Sequence, residues 1–276
     1  MTKPQVKWDV LTLKSDQFTR EMVSSHFIMD CLGAYEDGQS GDYYFTEGTK
    51  DNIDKSLEKL STSHNFKWSW YVQANEDWHL AWKDSFTPIL FEQELAIVPD
   101  WEKEKLADIQ IRIQPGNAFG TGHHETTHLI IKHLIKKVTA HCSVLDVGTG
   151  SGILAIAAKK LGAGKVTCIE YDRDCQTNFE TNVRLNKLEG KLKFIHQDAL
   201  KWTDFSQDII LVNVNRHIIL DLLPHLRQSK GLILLTGILT ADLDLVKSQC
   251  TKNGIIIENV ATNGDWICLT ALAKVN

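Results

Sequence analysis

The sequence predicts an α/β protein in which a small α+β unit precedes a larger domain built on a mostly parallel sheet. Three observations carry this. Strand-like runs at Ser143–Val147, Lys165–Glu170, Leu192–His196, Asp208–Asn213 and Leu232–Thr236 alternate with segments of helical apolar spacing. Strands that alternate with helices form a parallel sheet covered on both faces. The first 74 residues have a different rhythm, with two short strand-like pieces set around a turn. The last two strand-like runs, Ile255–Val260 and Trp266–Ala273, are separated only by Ala261–Asp265. That is too short for a crossover, so they form an antiparallel hairpin at one edge of a seven-stranded sheet.

The elements of the first unit follow from spacing and turn chemistry. Apolar residues roughly alternate from Val6 to Leu13, as in a strand. A helix fits Gln17–Leu32, with Phe18, Met22 and Ile28 on one side, and Gly33 ends it. Two strands, Ala34–Glu36 and Tyr43–Thr46, flank the turn-forming run Asp37-Gly38-Gln39-Ser40-Gly41. A second helix fits Asp51–Ser61, with Ile53, Leu57 and Leu60 in helical register. A final strand fits Phe66–Gln73, where Trp68 and Trp70 share a face. The order β-α-β-β-α-β is that of a ferredoxin-like unit, spanning residues 1–74. This stretch carries 8 Lys and Arg against 11 Asp and Glu, a net of −3 that suits a basic partner.

Residues 75–108 read as a connecting segment. Trp78, Ala81, Trp82 and Phe86 suggest a short helix, and Leu90–Val98 a strand between Pro88 and Pro99. The larger domain then runs over 109–276, with helices at Ile153–Leu161, Cys175–Asn186 and Ala241–Asn253.

Composition bounds the function. The chain has 276 residues, 43% apolar and 24% charged, enough for a sizeable core. Net charge is −5 and the pI about 6.1. Proteins that bind nucleic acid use a basic face to displace counterions from phosphates. The acidic balance therefore favours a protein or small-molecule substrate and no direct DNA contact. The six cysteines form no C-x-x-C pair, so they read as buried thiols in a reducing cytosol. No segment approaches the apolar length of a membrane span, and the first residues lack a signal-peptide core. The expected location is cytoplasmic.

Chemistry concentrates around Val144-Leu145-Asp146-Val147-Gly148-Thr149-Gly150-Ser151-Gly152, an apolar strand running through a glycine turn into a helix. Glycines there let the backbone take positive φ and approach a ligand. A dinucleotide fingerprint needs G-x-G-x-x-G, but the position it requires is Ile153. The G-x-G-x-G spacing after an acid matches S-adenosylmethionine-dependent methyltransferases. Glu170 ends the next strand, 20 residues after Gly150, where an acid can accept both ribose hydroxyls; Asp172 is the competing candidate. Asp198 ends the strand after that, either to bind an adenine amino group or to cap a helix. Asn213 ends the fourth strand, where ligands of open parallel sheets gather, and its amide can orient a nucleophile. The N-P-P-Y pattern of adenine and glutamine methyltransferases is absent, since Val214, Asn215 and Arg216 follow. Upstream, Pro115-Gly116-Asn117-Ala118-Phe119-Gly120-Thr121-Gly122-His123-His124-Glu125-Thr126-Thr127 is too rich in Gly, Thr and His for a core element. It suggests a loop over a ligand, with Phe119 and Thr126 as candidate contacts. His123, His124 and His128 lack the acid–His set that would complete a metal sphere.

With these motifs together, the sequence resembles the bacterial ribosomal protein L11 methyltransferases. The hallmark P-G-x-A-F-G-T-G-x-H-x-T-T is matched from Pro115 to Thr127 without a gap. Asp77-Trp78, Ala81-Trp82-Lys83, Val98-Pro99, Thr236-Gly237-Ile238-Leu239 and Gly264-Asp265-Trp266 are also similar to the family. The resemblance covers residues 75–276; before that only the element order agrees. It implies a Rossmann-like class I methyltransferase domain, with cofactor contacts falling on Thr127, Gly148, Glu170 and Asn213. It further implies S-adenosylmethionine as cofactor and methylation of the N-terminal α-amine and lysine ε-amines of L11. The N-terminal ferredoxin-like domain would then recognise that substrate protein. Three departures bear on substrate geometry. Glu170 stands where the family usually has Asp, His123 and Glu125 replace a common Thr and Pro, and Val214-Asn215 replaces Ile-Leu.

Overall fold

The computed structural model describes residues 7–24, 26–27, 31–37, 40–74, 87–114 and 122–274. The chain folds as two compact units, Met1–Phe86 and Thr87–Asn276.

In the first unit the elements are β1 (Lys7–Lys14), α1 (Gln17–Ser24), β2 (Gly33–Asp37), β3 (Ser40–Thr46), α2 (Lys50–Ser61) and β4 (Lys67–Ala74). The sheet order is β2-β3-β1-β4, and every neighbouring pair is antiparallel. This is the ferredoxin-like arrangement. Leu11 and Leu13 meet Tyr43 and Phe45 on one face, under Ile53 and Leu57 of α2. Trp68 and Trp70 do share that face, and both indole N–H groups donate to Asp54 Oδ1, at 2.9 and 2.7 Å. The first helix is shorter than the predicted Gln17–Leu32. It stops at Ser24 because a turn follows, with Phe27 N–H donating to Ser24 O at 3.0 Å. That turn sends Phe27 into the core, edge-on to Tyr43 and Phe45. Ile28 lies outside the described residues, as does the short helix expected around Trp78–Phe86.

The second unit begins with a small sheet of β5 (Ile89–Phe91), β6 (Leu95–Pro99) and β7 (Ile109–Ile113), in that order. The single strand expected at Leu90–Val98 is thus a hairpin. Glu92 takes a left-handed φ of 53°, and Glu94 N–H closes the turn on Phe91 O. Residues expected to connect domains belong to the larger core instead. Phe91, Leu95, Ile97, Ile111 and Ile113 pack in one cluster with Ile130, Leu134 and Ile156.

The main sheet holds β8 (Ser143–Val147), β9 (Lys165–Glu170), β10 (Leu192–His196), β11 (Ile209–Asn213), β12 (Leu232–Leu239), β13 (Ile255–Asn263) and β14 (Trp266–Ala273). Its order is β10-β9-β8-β11-β12-β14-β13. The first five strands run parallel, and β14 is antiparallel to both its neighbours. Among the described residues the unit also has the α-helices α3 (Glu125–Lys137), α4 (Ile153–Lys160), α5 (Asp174–Leu185), α6 (Arg216–Leu226) and α7 (Leu243–Lys252). The terminal hairpin is tighter than expected. Ala261, Thr262 and Asn263 pair with Cys268, Ile267 and Trp266, leaving only Gly264 and Asp265 in the turn. Strand order reverses between β8 and β11, and the carboxyl ends there frame the crevice in which open α/β sheets hold ligands.

Among the described residues, no helix is long and apolar enough to cross a membrane. All six cysteines are free thiols; Cys168, Cys250 and Cys268 are buried, whereas Cys31, Cys142 and Cys175 are only half-buried, contrary to the expectation that all are interior.

Candidate functional site

At the switch point a cleft of about 440 Å³ opens between Gly148–Gly150 at the end of β8, Glu170 and Asp172 beyond β9, and Asn213–Asn215 after β11. Gly237, Trp266, His124 and Thr126 complete its lining on the β12, β14 and α3 elements. Larger grooves lie elsewhere: one of about 730 Å³ along β13, another of about 730 Å³ in the first unit around Lys14 and Phe66, and one of about 530 Å³ around His141 and Asp208. The smaller cleft is the one that joins the glycine turn, the strand-end acid and the strand-end amide, so it is the functional candidate.

Gly148, Gly150 and Gly152 have φ of 70°, 51° and 82°. Gly148 and Thr149 N–H groups both donate to Ile169 O, at 2.9 and 3.1 Å, which ties the turn to β9. A Cβ at 148 would lie 2.5 Å from Val214 Cγ1, and one at 152 would lie 2.6 Å from Phe179. The turn is therefore packed on both flanks, and glycine is required by space as well as by φ.

Glu170 organises the turn. Its Oε2 accepts from Gly150 N–H at 2.9 Å, while Oε1 accepts from Tyr171 and Asp172 N–H, each at 2.9 Å. A carboxylate has about four acceptor positions, so it keeps capacity for a ligand hydroxyl. Asp172, the rival for this role, also lines the cleft, and its Oδ1 accepts from Asp174 N–H at 2.9 Å. Cys175 stands beside them; burial first, then the Glu170 and Asp172 charges, push its thiol up to about 11, so it is no thiolate nucleophile at neutral pH.

Asp146 lies beneath the turn, fully buried, and accepts from Thr149 Oγ1 at 2.6 Å. Burial raises its carboxyl to about 7, against the opposing pull of that hydroxyl. The unfolded chain releases this proton near 3.8, so between pH 4 and 7 the folded state holds more protons than the unfolded one. Stability should fall as pH rises through this window and be level above it, by on the order of 4 kcal/mol at most. Asp146→Asn keeps the acceptor for Thr149 and removes the titration. Urea unfolding at pH 4.5 and pH 8 should show the variant gaining on the wild type as pH rises; a constant difference would contradict this.

The remaining predicted residues divide. Asn213 is half-buried at the end of β11, in register with Thr236, and lines the cleft. Asn215 forms the N-cap of α6, and Arg216 pairs with Asp242. Thr126 lines the cleft, bonded to His124 Nδ1 at 2.8 Å. Thr127 is fully buried and is not part of that lining; its hydroxyl has no hydrogen-bond partner among the described residues. Asp198 caps the 3-10 turn Ala199–Lys201, accepting from Leu200 N–H at 3.0 Å, and does not line the cleft. Phe119 lies outside the described residues. The three histidines diverge: His123 contacts Thr87 O, His124 caps α3, and His128 packs on Phe91.

Sequence reasoning gave no role to Trp266, Gly237 or His124. The His124 ring meets the Trp266 indole edge-on, with centroids 4.8 Å apart. Their signal lay in the Gly-Asp-Trp, Thr-Gly-Ile-Leu and upstream loop motifs, but only the sheet order brings them beside Gly148.

Strand order, the antiparallel β14 and a cleft at the β8/β11 switch point define a class I methyltransferase fold. A family model described as "Ribosomal protein L11 methyltransferase (PrmA)" matches residues 29–274. Curated proteins named ribosomal protein L11 methyltransferase are similar. The one from Alkaliphilus oremlandii is 33% identical over 204 residues, 72% of this chain and 65% of its own. That from Lactobacillus acidophilus is 34% identical over 248 residues, covering 84% and 78%. A crystal structure of ribosomal protein L11 methylase from Lactobacillus delbrueckii subsp. bulgaricus superposes with a TM-score of 0.63 at 34% identity, over 69% of this chain and all of that one. The chain belongs to the ribosomal protein L11 methyltransferase family. It spans just under two thirds of the length of the first relatives it matches.

Proposed function

We propose that this protein is an S-adenosylmethionine-dependent methyltransferase that acts in the cytoplasm on amino groups of ribosomal protein L11, namely its N-terminal α-amine and lysine ε-amines. The observation that carries this reading is the cleft itself: Glu170 at the glycine turn and Asn213 across the switch point, in a chain of this family. The donor set fits the cofactor. Glu170 retains acceptor capacity for a ribose hydroxyl, Gly148 and Gly150 present bare backbone to the cleft, and the Thr127 hydroxyl is buried with no hydrogen-bond partner among the described residues. Thr126 and Asp198 remain candidate contacts, Thr126 from the cleft wall and Asp198 from the end of β10. The first 74 residues, acidic by three charges, are proposed to recognise the basic substrate protein.

S-adenosylmethionine, when bound, supplies a methyl group on a positively charged sulfur. The residues of this chain bind, align and desolvate. An α-amine titrates near about 8 and a lysine near about 10.4, so the lysine must lose its proton before it attacks. The apolar stretch of wall from Ile153, Leu154, Ile218 and Trp266 favours the uncharged amine by desolvation. Asn213 can accept from the amine N–H and fix its line of approach. No general base is assigned. Asn213→Ala should lower turnover at saturating cofactor by roughly tenfold to a hundredfold, beyond whatever cofactor affinity it loses. Full turnover in that variant would remove Asn213 from the mechanism.

The test of the function is incubation with methyl-labelled cofactor and whole ribosomes, followed by mass spectrometry. Label in L11 is expected. Label in ribosomal RNA would replace this reading with an RNA methyltransferase, and absence of label with a cofactor-binding factor.

A further inference from the structure

Helix α5 carries asparagines at 178 and 182, and Asn186 caps its C-terminus; four residues apart, the three lie on one face. That face meets the outer edge of β7, whose only strand partner among the described residues is β6. The carboxamides do there what a neighbouring strand would. Arg112 N–H donates to Asn186 Oδ1 at 2.9 Å, and Asn186 Nδ2 donates to Arg112 O at 2.6 Å. Gln114 N–H donates to Asn182 Oδ1 at 2.8 Å, and Asn178 Nδ2 donates to Gln114 O at 3.1 Å. Such pairings satisfy a buried sheet edge and by themselves concern only the fold.

Asn182 does something more. Its Nδ2 donates to the Ser151 carbonyl at 2.9 Å, at the crest of the glycine turn, and the side chain is fully buried. The neighbouring Gly150 N–H is held from the other side by Glu170 Oε2 at 2.9 Å. The crest is thus gripped by an acceptor on its N–H and a donor on its carbonyl. Gly150 and Gly152, both at positive φ, leave the intervening backbone freer to rotate than other residues would. We infer that Asn182 is a positioning residue: its carboxamide sets the orientation of the Gly150–Ser151 backbone that faces the cofactor and locks it to the end of β7. The inference rests on the reading of the cleft as a cofactor site. Only a side chain with both a donor and an acceptor at that reach can join the two segments.

The experiment measures S-adenosylhomocysteine affinity by calorimetry and melting temperature on the full chain. Asn182→Asp keeps the acceptor for Gln114 N–H but sets an oxygen against the Ser151 carbonyl. Asn186→Ala removes only the pairing with Arg112 and the bond to Asn182 O. Affinity should fall by about tenfold or more in Asn182→Asp. It should stay within about twofold of wild type in Asn186→Ala, even where both variants melt earlier by similar amounts. Asn182→Ser, which is neutral but cannot span both partners, should weaken binding as Asn182→Asp does. Unchanged affinity at 182 would overturn the assignment. So would affinity losses that simply follow the melting temperature in both positions, or failure of both 182 variants to fold. A wild type that binds nothing would instead remove the reading of the cleft, and this assignment with it.

Discussion

Glu170→Ala should weaken cofactor binding by about two orders of magnitude or more. The carboxylate has two tasks that alanine loses together. It accepts three backbone N–H groups, one of them from Gly150, and so closes the glycine turn against β9. It is also the acid proposed to accept from a ribose hydroxyl. A hydrogen bond to a charged acceptor is worth about 1.5–3 kcal/mol, and the loss of one at the ligand adds to the loss of the bond that holds Gly150. Calorimetry with S-adenosylhomocysteine measures the effect directly. Glu170→Asp restores the residue usual in the family at the cost of one methylene. It should stay within about tenfold of wild type, because the charge is kept and only the reach to Gly150 is shortened. Binding by Glu170→Ala within about threefold of wild type would exclude Glu170 as the ribose acceptor.

The largest effect on stability is expected at Gly237. It has a φ of 90° at the bulge where the β12–β14 register shifts, and a Cβ there would stand 2.0 Å from the Val214 carbonyl oxygen. The obstacle is backbone, which cannot rotate aside as a side chain does. Gly237→Ala must strain φ, at about 1–2 kcal/mol, and also push the segment after β11 away from β12. A total of about 4 kcal/mol or more follows, lowering Tm by roughly 10 °C or more. Gly162→Ala is the control. Its φ is 113°, but nothing lies within 4 Å of the added methyl, so it isolates the strain alone. A Tm for Gly237→Ala no lower than that of Gly162→Ala would mean that the close approach costs nothing. Because Val214 follows Asn213 and also covers Gly148, the same change should reduce turnover beyond the loss of folded protein.

Much of the architecture was legible from local pattern. Apolar runs between helical segments marked the five parallel strands, and the β-α-β-β-α-β order marked the first unit, because each element is encoded by the period of its own residues. Where the pattern misled, a tertiary contact had overridden it. The first helix stops at Ser24 because burying Phe27 against Tyr43 and Phe45 outweighs another turn of helix. The run Leu90–Val98 looked continuous, yet it folds back at Glu92 so that Phe91, Leu95 and Ile97 reach one core.

The site divides along the same line. The sequence by itself determined the glycine turn, the acid twenty residues on and the amide ending β11, since these depend on strand ends and backbone freedom within a few residues. The tertiary structure alone decided that Glu170 would hold Gly150, that Asn182 would hold Ser151, and that Trp266 and Gly237 would line one cleft with Gly148. Those contacts join residues from 20 to more than 100 positions apart, set by strand order and packing, which leave no periodic trace in the chain.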